Sequence, residues 1–358
     1  MSLESPAPFP PNGPLETPKV LRTLVTAHRH LAELKGVART IPNEGLLVST
    51  LSLQEAQSSS EIENIITTQD ALYRYQLHPE SVDPASKEVA SYAEGLHAGF
   101  EEVRRSGLLT LNTIQKVQAA LEGNDAGFRR TPGTVLRNDR TGETIYEPPE
   151  PPRIPDLMGE LEEYLHADSD EDPLVRMAVI HHQFETIHPF YDGNGRTGRI
   201  LNILFLAKEG LLDSPILYLS RYISQTKDTY YAELQKVRDT GDWESWLIYM
   251  LKGVATTARH TTGLVEAIGN LLQHHKHYIR NHYKFYSQDL INNIFRHPYT
   301  KVTFVQEDLG VSRATATRYL DALAEGGILV KHRLGRENYY INKKLVRLLF
   351  DLAPLDIG

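Results

Sequence analysis

The sequence has no cysteine among its 358 residues, which excludes disulfides, cysteine-ligated zinc, iron–sulfur clusters and a thiol nucleophile. Any chemistry must rest on oxygen and nitrogen groups. No run approaches the roughly 18 apolar residues that a membrane-spanning helix needs, and the start of the chain has neither a basic nor an apolar segment of the kind that directs secretion. A cytoplasmic location with no membrane partner is expected. Positive charge is also short: 38 Lys and Arg stand against 46 Asp and Glu, a formal net charge of −8, which argues against a chain that coats nucleic acid along its length. The deficit is uneven, because residues 288–358 hold 10 basic against 8 acidic residues and so carry +2. What remains is ordinary for a folded protein, with 41% hydrophobic, 23% charged and 8% aromatic residues. At roughly 150 residues per domain the length suggests about two domains.

Six prolines in residues 1–18 can neither continue a helix nor pair in a central strand, so this segment is expected to be a disordered lead-in. From about Val20 to His97, apolar spacing of three and four residues (Leu21, Leu24, Val25, His28, Leu31) predicts several packed helices, interrupted by a turn at Pro79 to Pro84. Thr134–Arg137 and Glu143–Tyr146 are β-prone runs on either side of Asp139-Arg-Thr-Gly142, and a proline-rich arm follows. Helices are predicted at Ile154 to His166 and Pro173 to Ile187, with Pro189 closing the second. Another runs from about Arg196 to Glu209. Further helices fill Ser224 to about Tyr286, with Tyr230, Tyr231, Trp243 and Trp246 as core or pocket walls. A helix at Gln288 to Arg296 leads into a short helix at Phe304 to Leu309, a turn at Gly310, and a helix capped by Ser312 that carries Ala316, Leu320 and Leu323 on one face. Gly326-Gly327 ends that helix, and Ile328-Leu-Val and Asn338-Tyr-Tyr-Ile flank a turn at Leu334-Gly-Arg-Glu. This order resembles a winged helix-turn-helix domain.

The densest chemical cluster is His188-Pro-Phe-Tyr-Asp-Gly-Asn-Gly-Arg-Thr-Gly-Arg199. Gly193 and Gly195 let backbone N–H groups converge just before a helix whose first amides have no internal partner, which makes an anion site. Arg196 and Arg199 sit on the first turn of that helix, where the macrodipole disfavours cations by roughly 0.3–1 kcal/mol unless an anion compensates. A polyphosphate would compensate. Asp192 is a hard oxygen ligand suited to Mg²⁺ bridging phosphates, and His188 is a base whose ordinary pKa lies near neutrality. A plain Asx/Gly turn would explain the glycines but not two arginines at a helix N-terminus. The run Gly193 to Gly198 also fits the G-x-G-x-x-G dinucleotide fingerprint, but that pattern has its physical meaning only after a buried strand, and the preceding segment is helix-like. Glu94-x-x-His97 and Glu185-x-x-His188 match the spacing of a di-iron helix bundle, in which a glycine loop has no part.

His188 to Arg199 resembles the defining motif of Fic-domain proteins, His-Pro-Phe-x-Asp/Glu-Gly-Asn-Gly-Arg-x-x-Arg, with every specified position filled. The resemblance covers roughly residues 20–255, and with the winged tail the whole chain looks like bacterial Fic adenylyltransferases of that architecture. It implies a mostly α protein: a disordered lead-in at 1–18, an N-terminal helical region with an inhibitory helix at 19–105, a Fic core with a β-hairpin flap at 106–255, connecting helices at 256–287 and a winged helix-turn-helix domain at 288–358. The implied reaction transfers AMP from ATP to a Ser, Thr or Tyr hydroxyl of a target protein or of the chain itself, with Mg²⁺ as cofactor and pyrophosphate as product.

Carried over by position, His188 would deprotonate the hydroxyl, Asp192 would hold Mg²⁺, and Asn194 would orient the α-phosphate. Gly193 and Gly195 would cradle phosphates, and Arg196 and Arg199 would neutralise the β- and γ-phosphates. Thr197 and Gly198 complete the nucleotide-binding run. The family branch that phosphorylates its target carries lysine where this chain has Gly195, which favours AMP transfer. Tyr222, Tyr230 and Tyr231 lie where the family builds its adenine pocket, Tyr230 being the preferred candidate. The family's inhibitory pattern Ser/Thr-x-x-x-Glu-Gly/Asn is matched by Ser59 to Asn64, so Glu63 would pair with Arg199 and exclude a productive γ-phosphate; a solvated acidic helix face is the competing reading. The hairpin at Thr131 to Tyr146 resembles the family's flap, which holds the target by strand addition. Partners implied are an unspecified target protein and a second copy in a homodimer. DNA, through Arg313, Thr315, Thr317 and Arg318 and the wing residues Lys331, Arg333 and Arg336, is the weaker alternative given the tail's modest charge. The competing functions are a nucleotide-sensing transcription regulator and removal of AMP at the same site.

Overall fold

A computed structural model of the chain describes residues 9–41, 44–68, 71–72, 75, 83–137, 142–334, 337–350 and 355. Among these, fourteen α-helices carry the fold, with one two-stranded and one three-stranded antiparallel sheet. Helix α1 (Pro18–Ala38) starts where Thr17 accepts a hydrogen bond from the Val20 amide and Pro18 fills the first turn. Its buried stripe is Val20, Leu24, Ala27, Leu31 and Leu34, whereas Leu21 and Val25 are 46% and 71% exposed. The helix is as expected, but its inner face is set by the helix it lies along rather than by its own apolar residues. Residues 9–17 differ from the expected disordered lead-in: the Phe9 ring meets Tyr164 edge-on at 5.1 Å and Leu15 is buried, apolar contacts that outweigh the proline-rich composition.

Helices α2 (Glu44–Ile62), α3 (Pro84–Ser106) and α4 (Leu111–Glu122) follow. Asp83 caps α3 and the left-handed Gly107 ends it. The turn expected from Pro79 lies, up to residue 82, outside the described residues. The hairpin forms from β1 (Leu136–Arg137) and β2 (Thr144–Tyr146), with Leu136 opposite Tyr146; its tip, residues 138–141, lies outside the described residues.

Helices α5 (Ile154–His166), α6 (Pro173–Ile187) and α7 (Asn194–Lys208) come next, with α6 buried on every side from Leu174 to Ile187. Two of its polar residues find partners inside the core: His181 meets Gly198 O, Tyr230 Oη and Asn202, and His182 Nε2 meets Leu234 O. Helices α8 (Leu219–Gln225) and α9 (Lys227–Thr240) precede α10 (Trp243–His282), a single 40-residue helix that lies along α1 and reaches the C-terminal elements. No boundary interrupts it at 255, since nothing in this stretch breaks a helix. The tail comprises α11 (Gln288–Arg296), β3 (Tyr299–Lys301), α12 (Val302–Leu309), α13 (Arg313–Glu325), β4 (Val330–Leu334), β5 (Glu337–Ile341) and α14 (Lys343–Phe350), with strand order β3-β5-β4. Ser312 caps α13 through the Thr315 amide, and Ala316, Leu320 and Leu323 form its buried face. No helix among the described residues is long and apolar enough to cross a membrane.

Candidate active site

His188 ends α6 in a left-handed conformation, φ +48°, with its amide still donating to Phe184 O at 2.9 Å. That region is sparsely populated by residues other than glycine and typically costs of order 1–3 kcal/mol, so surrounding contacts must hold it. Arg129 supplies two of them: its Nε donates to His188 O at 2.9 Å, and its amide donates to Pro189 O at 2.8 Å. Arg129 also donates to Pro149 O, which ties the proline arm to the same point. From the other side Arg238 donates to Glu185 O at 3.1 Å and Thr186 Oγ1 at 3.2 Å, while the hairpin residue Tyr146 donates to Thr186 O at 3.0 Å. Burial, with the Arg238 and Arg129 guanidinium groups adding to it, pushes the His188 imidazole down to about 4. It is therefore neutral through the physiological range, lower than its composition alone suggests.

The loop after Pro189 is closed by Asn194. Its Oδ1 accepts from the Phe190 amide at 2.8 Å and its Nδ2 donates to Phe190 O at 2.9 Å, so the amide expected to orient a phosphate is largely engaged in shaping the loop. Gly193, at φ +74°, donates its N–H to Asp192 Oδ1 at 2.7 Å rather than outward. The amides of Asn194, Gly195 and Arg196 begin α7 without partners inside the helix; the first intrahelical bond closing back onto the loop is Thr197 N to Gly193 O. The Asp192 side chain is 78% exposed. Thr197 is buried, and its hydroxyl has no partner among the described residues. Gly198 lies against α6, where a Cβ would come within 2.5 Å of Glu185 Oε1, so this glycine serves close helix packing. Burial raises the Glu185 carboxyl to about 7.

The two arginines of the run have different surroundings. Arg199 is buried; its Nε donates to Ser59 Oγ at 2.7 Å, and its Nη2 donates to Ser59 O at 3.0 Å and Glu63 Oε1 at 2.7 Å. Burial opposes its charge, and Glu63 overrides that opposition. Arg196 donates from Nε to Glu63 Oε2 at 2.9 Å, from Nη2 to Glu122 Oε1 at 2.9 Å, and from Nη1 to Glu88. Glu63 thus bridges both arginines. It also lies over the helix start, because a Cβ on Gly195 would stand 2.6 Å from Glu63 Oε1. The expected Glu63–Arg199 pair is present, and Glu63 makes a second bond, to Arg196, that the sequence pattern does not announce. Burial raises the Glu122 carboxyl above its ordinary range, against the pull of Arg196.

Glu88, Glu122, Arg129 and Arg238 are the site residues that the sequence did not reveal. Each is a single charged residue on a helix or loop distant in sequence, and no local pattern announces such a pairing. Tyr230 does not join them: it is 1% exposed, bonds His181 through its hydroxyl at 2.8 Å and packs on Trp246. It is a core residue, as aromatic side chains on helices commonly are. Tyr222 is buried and Tyr231 is 45% exposed. In the tail, Arg313, Arg318 and Arg333 are exposed, but Thr317 bonds Arg313 O, Thr315 bonds Ser312, and Lys331 pairs with Asp321 at 2.7 Å. Arg336 lies outside the described residues.

Comparison with known proteins agrees with this geometry. Residues 21–101 match the Fic/DOC family N-terminal domain, residues 108–206 match the Fic/DOC family itself, and residues 271–345 match the C-terminal domain of SoFic-like protein adenylyltransferases. A probable protein adenylyltransferase of Aquifex aeolicus is 36% identical over 83 residues, 23% of this chain and 26% of that protein. The protein adenylyltransferase Fic-1 of Caenorhabditis briggsae is 28% identical over 130 residues, 36% of this chain and 24% of that protein. The matched part thus spans about a quarter of these curated relatives. Among solved structures, a Fic family protein from Desulfovibrio desulfuricans superposes with a TM-score of 0.58 at 21% identity, covering 93% of this chain and 98% of the other. A Fic domain containing signaling protein from Bacteroides thetaiotaomicron gives 0.52 at 18% identity, covering 69% and 95%. These two likenesses concern the fold. With a complete motif at His188 to Arg199 and three successive domain matches, the chain belongs to the Fic/DOC family.

Proposed function

We propose that the chain is a protein adenylyltransferase that moves AMP from ATP to a hydroxyl side chain of a target protein, or of itself, and releases pyrophosphate. One arrangement supports this above all: an anion site at the N-terminus of α7, beside a neutral histidine, in which a carboxylate of the same chain already lies. In this reading His188 takes the proton of the hydroxyl as its oxygen bonds to the α-phosphorus. The bond from that phosphorus to the bridging oxygen breaks, and pyrophosphate leaves in line. The amides of Asn194, Gly195 and Arg196 meet the negative charge that develops on the phosphoryl oxygens. Arg199 faces the γ-phosphate once Glu63 has left, and Arg196, still held by Glu88 and Glu122, keeps the loop in shape. Asp192 is the residue that would hold Mg²⁺; one exposed carboxylate suits an ion that draws its other ligands from phosphates and water. When bound, that ion offsets charge on the α- and β-phosphates. Glu63 is the inhibitor, blocking both the cradle and Arg199.

A target segment laid along the edge of the β1–β2 hairpin would present its hydroxyl to His188, because Tyr146 ties the hairpin to the end of α6. We read the winged-helix tail as a protein-contact module, since its two candidate base-reading threonines are bonded to their own helix or its cap. The test is incubation of Glu63→Gly with ATP labelled at the α- or the γ-phosphate. Label that survives denaturation is expected from the α-position only. Reversible binding without covalent label would support a nucleotide sensor, and γ-label on protein would mean phosphate transfer.

A further inference from the structure

The inhibitory helix is not a surface element. Residues 51–56 of α2 are buried without a break, and they include Ser52, Gln54 and Glu55, side chains that ordinarily seek water. Two sets of neighbours cover them. On the catalytic side lie α3, α7 and α8, and there the Glu55 carboxylate accepts from the Ser220 amide at 3.1 Å, from the Ser220 hydroxyl and from Tyr92 Oη at 3.2 Å. On the other side lie α11 and α14 of the C-terminal domain. The Gln54 side-chain amide donates to the carbonyl of Leu349 on α14, and the Leu355 amide near the end of the chain donates to Gln225 Oε1 on α8 at 3.1 Å. Helix α2 is therefore held between the catalytic core and the tail, and it cannot withdraw from the core without disturbing the tail.

The helix is also imperfectly satisfied where it is held. Ser52 Oγ, Gln54 Oε1 and Ser60 Oγ are buried with no hydrogen-bond partner among the described residues. Burying such atoms unpaired opposes folding, so α2 in this position leans on its packing partners rather than on bonds of its own. Of those partners, the tail contributes none of the residues assigned to the chemistry.

We propose that the α11–α14 face of the C-terminal domain is the clamp that keeps α2, and with it Glu63, over the anion site, and that lifting this face off α2 is the activating step. The proposal rests on the reading of Glu63 as inhibitor. It gives the tail a role in control that does not need nucleic acid: anything that engages the domain more favourably when it has moved away from α2 shifts the population toward the open site.

Full-length chains with α-labelled ATP test it. Glu63→Gly serves as the open reference. Gln54→Ala with Leu345→Ala, one turn before Leu349 on α14, loosens the clamp, and Gln54→Ala alone serves if the pair does not fold. Leu320→Ala loosens the tail inside the core of α13 instead. The clamp variants are expected to label at least tenfold faster than wild type and to show faster amide hydrogen exchange in residues 51–62, while Leu320→Ala melts lower but labels at the wild-type rate. Clamp variants that label like wild type while Glu63→Gly is fast overturn the proposal and leave the inhibitory reading standing. Equal acceleration by Leu320→Ala also overturns it, because general loosening would then suffice. If Glu63→Gly itself is no faster than wild type, the inhibitory reading has failed first.

Discussion

His188 works with the charge its neighbours allow. Burial, reinforced by Arg238 and Arg129, which also fix its backbone, keeps the ring neutral down to about pH 4. The transfer rate should therefore not fall through an inflection near 6.5 as pH drops from 8 to 5.5; an inflection there, absent in a variant lacking His188, would mean that the ring titrates as an ordinary histidine. His188→Ala should abolish transfer, a loss of about 10²–10⁴-fold or more, with nucleotide binding and melting temperature largely kept; labelling at the wild-type rate would remove it from the mechanism. The two motif arginines read alike in the sequence, yet only Arg199 loses its fixed partners when Ser59 and Glu63 withdraw. In a Glu63→Gly background, Arg199→Ala should thus weaken ATP binding but not ADP binding, whereas Glu122→Gln should affect both alike because it disturbs the loop. Calorimetric titration with both nucleotides checks this, and equal losses for Arg199→Ala would contradict it. His188, the glycines and the arginines were legible because the motif packs them into twelve residues. Glu88 and Glu122 were not, because their partner lies 108 and 74 residues away.

At the scale of elements, the helices bounded by proline and a cap were legible almost to the residue: Ile154–His166, Pro173–Ile187 and Gln288–Arg296 form where proline, Asp172 or Ser287 marks the start. The faces they bury were less so. In α1 the exposed Val25 and the buried Ala27 exchange the roles that hydrophobicity assigns them, because α10 chooses the face. In α2 the serines and glutamines suggest a solvated helix, and only the three-dimensional neighbourhood reveals a buried one. The close approach of α2 to α7 makes a further prediction. Because a Cβ at position 195 would stand 2.6 Å from Glu63 Oε1 and 2.9 Å from Arg199 Nη1, Gly195→Ala should lower the stability of the wild-type chain by about 1–3 kcal/mol. Part of that loss should vanish in Glu63→Gly, where one of the two clashing groups is gone. Thermal unfolding of the four chains measures the coupling, and full additivity would mean that the carboxylate does not rest on the helix start.

Among the described residues several histidines are held neutral, His260 while only partly buried: His181 and His182 fall to about 3, and His188, His260 and His275 to about 4, all mainly through burial. Unfolding would let these five take up protons below about pH 6.5, so their contribution to stability is lost as pH falls. Glu55 and Glu185, raised to about 7 by burial, act the other way, since the native chain then holds two protons that the unfolded chain releases above about 4.5. His297, also lowered by burial, joins the first set, while Glu122, raised by burial, and His28, raised by its bond to Asp172, join the second; six groups against four still leave net proton uptake on unfolding between pH 4.5 and 6.5, so stability should rise with pH across this window. Denaturant midpoints at three pH values would reveal it, and a flat or falling profile would mean that these groups are not buried as described.

In the proposed inhibited state a carboxylate of the chain occupies the place of the nucleotide's phosphates. Two buried arginines share Glu63, and breaking a buried pair of this kind typically changes local energetics by about 3–5 kcal/mol, which corresponds to a rate effect on the order of a hundredfold or more. The most direct measurement is the rate of α-label transfer by full-length wild type and Glu63→Gly over a range of ATP concentrations, repeated with Arg199→Ala in both. A nearly silent wild type, a fast Glu63→Gly and little acceleration once Arg199 is gone are expected. Equal rates for wild type and Glu63→Gly at every ATP concentration would contradict it and leave Ser59 to Asn64 as an acidic helix end with no part in control.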